Sequence, residues 1–354
     1  MTDPFTPGLL SRITGLNKIA IVRASRIGDF ICATPAFRAL RTALPDSRIT
    51  LIGLPFVKGL ARRSACIDLF IPFTGFPGMA EQFFDARRAV RSLGRLQSER
   101  FDLAIQMHGT GVYSNTYTLL LGARKTAGFV REGDGPGRLD AALAMPSAGR
   151  EAERLLALTA FLGAPEMDGA CEFPLLPRDQ GQARRLLEGA APPFLGLHIY
   201  ARKADKRWPA ERFAAAAGEL RRRYGGTLVN LGERGQPAET GRLAQEAGPP
   251  FIDLTGRTSL PVLGAVIARL SILLTNDSGP AHIAYALGVP AVTIFGETDP
   301  ARWGPPPDGP FRAVRRILPC RPCGENGCAS GYACLRSIQV DEVVEAASEV
   351  IRVP

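Results

Sequence analysis

The sequence predicts an α/β protein made of two doubly wound, mostly parallel sheets. Three observations predict it. Short apolar runs alternate with amphipathic stretches along most of the chain, which is the pattern of βαβ units. The 354 residues suffice for two domains at roughly 150 residues each. A Pro-bounded stretch at 173–193, FPLLPRDQGQARRLLEGAAPP, separates two series of such units. It sets a domain boundary between residues 178 and 179, giving domains of 1–178 and 179–354.

The first series opens with a strand at 18–22 (KIAIV). A helix is expected at 35–43, with Pro35 in the first turn, where its missing N–H does no harm. Strands follow at 49–53 and 68–71. A helix rich in Arg and Glu runs over about 80–97, and 102–107 (DLAIQM) is another strand. Residues 130–149 are polar and Gly-rich and read as loop, and 151–162 reads as helix. The second series begins with a strand at 195–199 and a helix at 209–224, whose apolar positions fall three and four apart. Strands at 227–231 and 251–254, a helix at 260–268, a strand at 271–275 (SILLT), a helix at 279–287 and a strand at 291–295 (AVTIF) continue it. The last helix spans about 340–352. No sequence repeat links the halves. Two such sheets facing each other would enclose a deep cleft, and ligands of doubly wound sheets bind at the carboxyl ends of the strands.

Composition excludes several classes. With 45% hydrophobic and 22% charged residues, the chain is neither disordered nor a coiled coil. Its 38 Gly and 29 Pro stay below the roughly 25–30% share of low-complexity or collagen-like chains. The uncharged stretch 278–296 is cut by Gly and Pro and does not suit a membrane span. The amino terminus shows no basic leader with an apolar core, so a cytosolic location is expected. Lys and Arg number 43 against 34 Asp and Glu, a net charge of +9. That excess points to an anionic partner: nucleic acid, an anionic membrane surface or a phosphorylated substrate. No aromatic–basic interleaving or nucleic-acid motif accompanies it, so no nucleic-acid partner is expected.

Three segments carry candidate chemistry. In 274–300 (LTNDSGPAHIAYALGVPAVTIFGETDP) a buried strand ends and Asn276-Asp277-Ser278-Gly279-Pro280 leads into a helix. Gly279 permits close backbone approach, and the helix start presents N–H groups and a positive dipole end to an anion. Ser278 adds a hydroxyl, and His282 lies on the first turn. A plain N-cap role for Asp277 or Ser278 explains the same residues. In 198–209 (HIYARKADKRWP), Lys206 and Arg202 would neutralise a diphosphate, or else form a solvated surface loop. In 23–35 (RASRIGDFICATP) a strand ends, and Gly28-Asp29 opens a helix. Asp29 there is a candidate general base at the sheet's mouth, or an N-cap. Absences narrow the chemistry. There is no G-x-x-x-x-G-K-[ST] loop and no G-x-S-x-G elbow. No two Asp stand two apart, so there is no D-x-D clamp for a metal–diphosphate.

Together the segments resemble glycosyltransferase family 9, the bacterial heptosyltransferases of lipopolysaccharide core assembly. KIAIVRASRIGDFICATPAFRALRTALPDSRITLIG looks like the family's amino-terminal block, and FDLAIQMHG like its mid-domain strand. HIYARKADKRWP, TNDSGPAHIAYALGVPAVTIFGETDP and the tail CRPCGENGCASGYACLRSIQVDEVVEA match further blocks. The resemblance implies a GT-B architecture, with acceptor binding in the amino-terminal domain and an ADP-activated heptose in the carboxyl-terminal one. The last helix often crosses back onto the first domain in this architecture. Inverting transfer without a metal clamp is implied, with no required cofactor. Asp29 matches the catalytic base, Lys206 the phosphate-binding lysine, Asp277, Ser278 and Gly279 the donor turn, and His282 the histidine of that helix. Arg202 joins the donor side; Arg26, Gly28, Gln106 and His108 lie on the acceptor side. Ile199, Tyr200 and Ala201 stand where members often carry Ser or Thr. Gln106 and His108 stand where members often have Asp and Gln.

Seven cysteines do not make a disulfide scaffold. Cys32, Cys66 and Cys171 are scattered and expected to be buried. Cys320, Cys323, Cys328 and Cys334, spaced C-x2-C-x4-C-x5-C with only the first pair at tight ligand spacing, offer four thiolates to a structural Zn or an iron–sulfur cluster, or else form a loop of reduced thiols. The expected partners are a nucleotide-sugar donor, a lipid-linked saccharide acceptor and, peripherally, the anionic inner face of the cytoplasmic membrane. Against this stand a transferase of the same fold with another donor or a non-lipid acceptor, and a non-catalytic nucleotide-sugar binder.

Overall fold

The computed structural model describes residues 3–79, 82–235, 248–320, 328 and 330–352. They fall into two compact units, Met1–Pro174 and Leu175–Pro354. The first unit holds strands β1 Lys18–Arg23, β2 Arg48–Gly53, β3 Leu69–Pro72, β4 Leu103–Gln106, β5 Lys125–Val130 and β6 Ala141–Ala144. The second holds β7 Phe194–His198, β8 Thr227–Asn230, β9 Phe251–Asp253, β10 Ile272–Asn276, β11 Ala291–Phe295 and β12 Phe311–Arg315.

Each unit is one six-stranded sheet, ordered β3-β2-β1-β4-β5-β6 and β12-β11-β10-β7-β8-β9. All neighbouring pairs run parallel. Counted from its own first strand, each sheet therefore has the order 3-2-1-4-5-6. In this topology the winding reverses between the first and fourth strands, and the crevice for a ligand opens at their carboxyl ends. That places attention on the ends of β1 and β4 in one unit and of β7 and β10 in the other.

Burial follows from that design. Central parallel strands are covered on both faces, and β1 is buried from Ile19 through Arg23 and β10 throughout. The first core gathers Val22, Ile52, Phe73, Leu96, Phe101 and Tyr117, with Phe73 and Tyr117 packed edge to face at 5.1 Å. The second gathers Leu197, Trp208, Phe213, Leu274, Ile294 and Val343. The buried Trp208 indole donates to the Ile338 carbonyl at 3.2 Å.

The structure departs from the sequence reading at several places. The helix expected at 35–43 spans Ile27–Ala43, with Pro35 inside it. Proline cannot donate to the Ile31 carbonyl; the Thr34 hydroxyl donates to it instead, at 2.7 Å. Within the stretch read as loop, 141–144 forms β6, because its small apolar residues pair with β5 at the sheet edge. The helix expected from residue 80 spans Ala86–Ser98, capped by Asp85, whose carboxylate accepts from the Arg88 N–H at 2.8 Å. The last helix, expected over about 340–352, spans Val340–Ser348 and packs on Ala210–Tyr224, β11 and β12.

Candidate functional site

In the second unit, β7 and β10 end side by side, with Thr275 in register with His198. The two loops that leave them meet at Asp277. Its carboxylate is 4% exposed and accepts from Lys206 Nζ at 2.7 Å and from the Thr298 hydroxyl at 2.6 Å. His282 Nε2 lies 3.9 Å from its other oxygen. Asn276, also buried, ties the loop in place: its side chain accepts from the Trp208 N–H at 2.9 Å and donates to the Ile199 carbonyl at 2.8 Å.

Ser278 precedes the helix Gly279–Leu287, yet its hydroxyl makes no cap hydrogen bond. It lies instead 3.2 Å from His198 Nδ1 and 3.1 Å from the Asn276 carbonyl. The N-cap explanation of Asp277 and Ser278 therefore does not describe this turn. The first N–H groups of a helix have no intrahelical acceptor, and here they start at Gly279. Burial pulls the His198 pKa down to about 4. Arg202 is not drawn in: it is exposed, and its carbonyl accepts from Arg207 at 3.1 Å.

In the first unit, Asp29 sits in the first turn of Ile27–Ala43, just past β1. Arg23, the last residue of β1, is 2% exposed and reaches it twice, 3.4 Å to Oδ1 and 3.1 Å to its carbonyl. The same guanidinium meets Glu151, itself 3% exposed, at 3.0 Å. A buried cation thus sits between a buried carboxylate and one that keeps 28% of its side chain exposed. Arg26 is exposed at the helix start, and Gly28 is buried. His108 Nδ1 shares a hydrogen bond with the Ser25 hydroxyl at 2.8 Å. Burial, helped by the positive charge of Arg23, pulls its pKa down to about 4.

Gln106 corrects an expectation. It is fully buried, and its amide joins the His108 carbonyl, Ser114 Oγ and the Phe129 N–H. It shapes the loop that presents His108 and does not itself face an acceptor. The sequence reading also passed over Arg23, Glu151, Thr298 and His198 as site residues. A charged residue closing the apolar strand KIAIVR is the one signal that marks Arg23.

The cysteine tail divides. Cys328 Sγ accepts from the Tyr332 N–H at 3.1 Å and lies 3.3 Å from Ser330 Oγ, and Cys320 Sγ lies 3.7 Å from the same hydroxyl. Cys334 is buried in the apolar core of its unit, and Cys323 lies outside the described residues. Among the described residues, no group of three or more His, Cys, Asp or Glu is placed to hold a metal ion. Of the described cysteines in that spacing, Cys334 packs with Leu335 and Ile338 as an apolar side chain. A 580 Å³ hollow lined by Leu187, Phe194, Arg269 and Ser271 lies at the amino ends of β7 and β10, the edge opposite Lys206.

A family model described as glycosyltransferase family 9 (heptosyltransferase) matches residues 89–333, well over half of the chain. The chain belongs to glycosyltransferase family 9. Lipooligosaccharide heptosyltransferase 2 of Campylobacter jejuni is 27% identical over 150 residues, covering 42% of this chain and 47% of that protein, so the chain spans about half that relative's length. Two solved structures show the family 9 fold over nearly the whole chain. A family 9 glycosyl transferase from Veillonella parvula superposes with a TM-score of 0.81 at 22% identity, covering 96% of this chain and 98% of the other. The E. coli ADP-heptose lps heptosyltransferase II gives 0.74 at 21% identity, covering 94% and 98%. The fold is the α/β GT-B fold of family 9, two Rossmann-like domains in one chain.

Proposed function

We propose that this chain is an inverting glycosyltransferase that moves a heptose from ADP-heptose to a lipopolysaccharide-core acceptor. One observation carries the reading. In a family 9 member, Asp29 keeps an accessible carboxylate at the carboxyl end of β1, oriented by a buried arginine. Asp29 takes the proton of an acceptor hydroxyl as that oxygen bonds to the anomeric carbon. The bond from that carbon to the β-phosphate oxygen breaks on the opposite face, and its electron pair leaves with ADP. General base catalysis of this kind is worth about 10²–10⁴ in rate.

Lys206 and the N-terminus of Gly279–Leu287 receive the negative charge that grows on the leaving diphosphate. Asp277 acts through Lys206, since a carboxylate would repel the phosphates directly. Ser278, Gly279 and His282 complete the donor side. Arg26 and His108 flank Asp29 on the acceptor side. The acceptor is a lipid-linked saccharide, and the enzyme works in the cytoplasm, peripherally at the inner face of the cytoplasmic membrane.

The test is ADP release from ADP-heptose with a panel of truncated lipopolysaccharide cores, wild type beside Asp29→Ala. Acceptor-dependent release that the variant loses supports the reading. Release that survives the substitution moves the base elsewhere. Tight ADP-heptose binding without release for any core changes the acceptor, and no binding at all changes the donor.

A further inference from the structure

Surface apolarity is distributed unevenly. Among the described residues the large exposed hydrophobics are Phe5, Phe56, Phe83, Phe84, Val90, Val112, Tyr113, Leu120 and Ile317. All but Ile317 belong to the first unit, and five of them lie in loops at one edge of its sheet. Phe56 follows β2, Phe83 and Phe84 follow β3, and Val112 and Tyr113 follow β4. The strands are parallel, so these loops all leave the carboxyl edge, the edge that carries Asp29. Neighbouring strands lie about 4.8 Å apart, so the row runs roughly 15 Å from β3 to β4.

Two glycines make part of that row continuous. The turn Phe76–Met79 carries Gly78 directly under the Tyr113 ring, where an added Cβ would come within 2.2 Å of it. Gly75, three residues earlier, lies against the Phe83 backbone, 2.6 Å from an added Cβ to its carbonyl. Both glycines have positive φ. Phe83, 86% exposed, and Tyr113, 56% exposed, thus flank one turn with their side chains toward solvent.

A basic ridge adjoins this rim. The helix Ala86–Ser98 starts directly after Phe84 and buries Ala89 and Leu96 against the core. On a 3.6-residue period, Arg87, Arg88, Arg91 and Arg95 fall on the side away from those two. All four are exposed, and among the described residues none pairs with a carboxylate. From 82 to 98 the only acid is the capping Asp85. An apolar rim beside unpaired cations matches the two layers of a bilayer interface, with anionic headgroups outside and acyl chains beneath.

We infer that the carboxyl edge of the first sheet is a membrane-docking surface, in which Phe83, Phe84 and Tyr113 enter the interface and Arg87, Arg88 and Arg91 bind anionic lipid headgroups. This deepens the proposed function and rests on it for the acceptor: docking by this edge brings Asp29 to the interface where a lipid-linked hydroxyl is held. The contact is peripheral, since no helix among the described residues is long and apolar enough to cross a membrane.

The experiment is co-sedimentation of the full chain with vesicles of phosphatidylglycerol and phosphatidylethanolamine, beside vesicles of phosphatidylcholine, at low and high salt. Variants are Arg87→Gln/Arg88→Gln/Arg91→Gln and, separately, Phe83→Ser/Tyr113→Ser. All five residues are exposed, and circular dichroism checks that both variants stay folded. Wild type is expected to bind the anionic vesicles and to be released by salt. Each lost arginine should weaken binding roughly fivefold, the factor belonging to about 1 kcal/mol per cation at an anionic surface. The aromatic variant should weaken it about tenfold. Equal binding by variants and wild type, equal binding to neutral vesicles, or no binding at low salt overturns the proposal. A dimer that the aromatic variant dissociates, without vesicle binding, overturns it in favour of a second copy of the chain. Activity separates this surface from the transferase reading. Both variants should keep wild-type turnover of a deacylated, water-soluble acceptor and lose it on the vesicle-embedded one. Wild type that binds vesicles but transfers to neither acceptor leaves the surface standing and removes the reaction.

Discussion

The two units have one strand order and two kinds of carboxyl edge. In the second unit the edge is polar and tightly tied. Lys206, Thr298 and His282 converge on the buried Asp277, and Asn276 fastens the turn from both sides. In the first, a buried cation serves a carboxylate that stays accessible, inside a rim of exposed apolar side chains. The difference fits the two tasks proposed above. A diphosphate is bound by fixed N–H groups and a positioned cation, which need a rigid turn. Deprotonating a hydroxyl carried in from a lipid surface needs an open base and a surface that meets lipid.

The sharpest way to break this comparison is to neutralise each edge in turn. Asp29→Asn is expected to lower kcat by about 10²–10⁴ while ADP affinity, measured by calorimetry, stays at the wild-type value. Weakened ADP binding would mean that the two edges do not divide the work as stated. Glu151→Ala leaves the Arg23 guanidinium buried with one carboxylate fewer. A broken buried pair costs about 3 kcal/mol or more, so the denaturation midpoint should fall well below that of wild type, and kcat should fall with it. A variant as stable as wild type would show that Glu151 is dispensable to Arg23.

Lys206→Ala should do the reverse of Asp29→Asn, weakening ADP binding tens of fold, about 2 kcal/mol for a charge-assisted contact. Unchanged ADP affinity would remove Lys206 from the donor site. Acid should act on both edges at once. Burial lowers His108 and His198 to about 4, whereas an unfolded histidine titrates near 6.5. Between those values the unfolded chain binds more protons, so stability is full above pH 6.5 and drains as pH falls toward 4. From pH 7.5 to 5 each histidine should withdraw about 2 kcal/mol, read by urea melts at the two pH values. If His198→Gln left the pH slope unchanged, the second edge would not contribute. The smallest effect is expected from Thr298→Val, which removes one hydroxyl from Asp277 and should weaken ADP binding at most tenfold.

Much of the fold is legible in the sequence. The helix Gly279–Leu287 and β11 sit where periodicity and the Pro and Gly signals place them. Of the four edge strands, β3 and β9 also fall where apolar runs place them, whereas β6 and β12 escape the sequence reading. The β6 run AALA has no polar–apolar alternation, and the β12 run FRAVR breaks its alternation at Val314. Pro35 read as a helix start because its missing N–H is cheapest there; the Thr34 hydroxyl removes that constraint.

At the site, chain-local chemistry was readable and pairings were not. The turns after β1 and β10 announce themselves through small residues and a helix start, which depend on neighbours in sequence. The partners do not. Arg23 meets Glu151 across 128 residues and Lys206 meets Asp277 across 71. Gln106 turned inward to satisfy the His108 carbonyl, Ser114 Oγ and the Phe129 N–H of β5, and Cys334 joined the core. By itself the sequence determined the period of each element, where the apolar faces lie and which loops hold charge, because these follow from side-chain size, polarity and backbone preference within a few residues. Which charges share a buried site, and which apolar loops share an edge, was decided by strand order and register. Those are settled only when the sheets close and each buried polar group must find its partner.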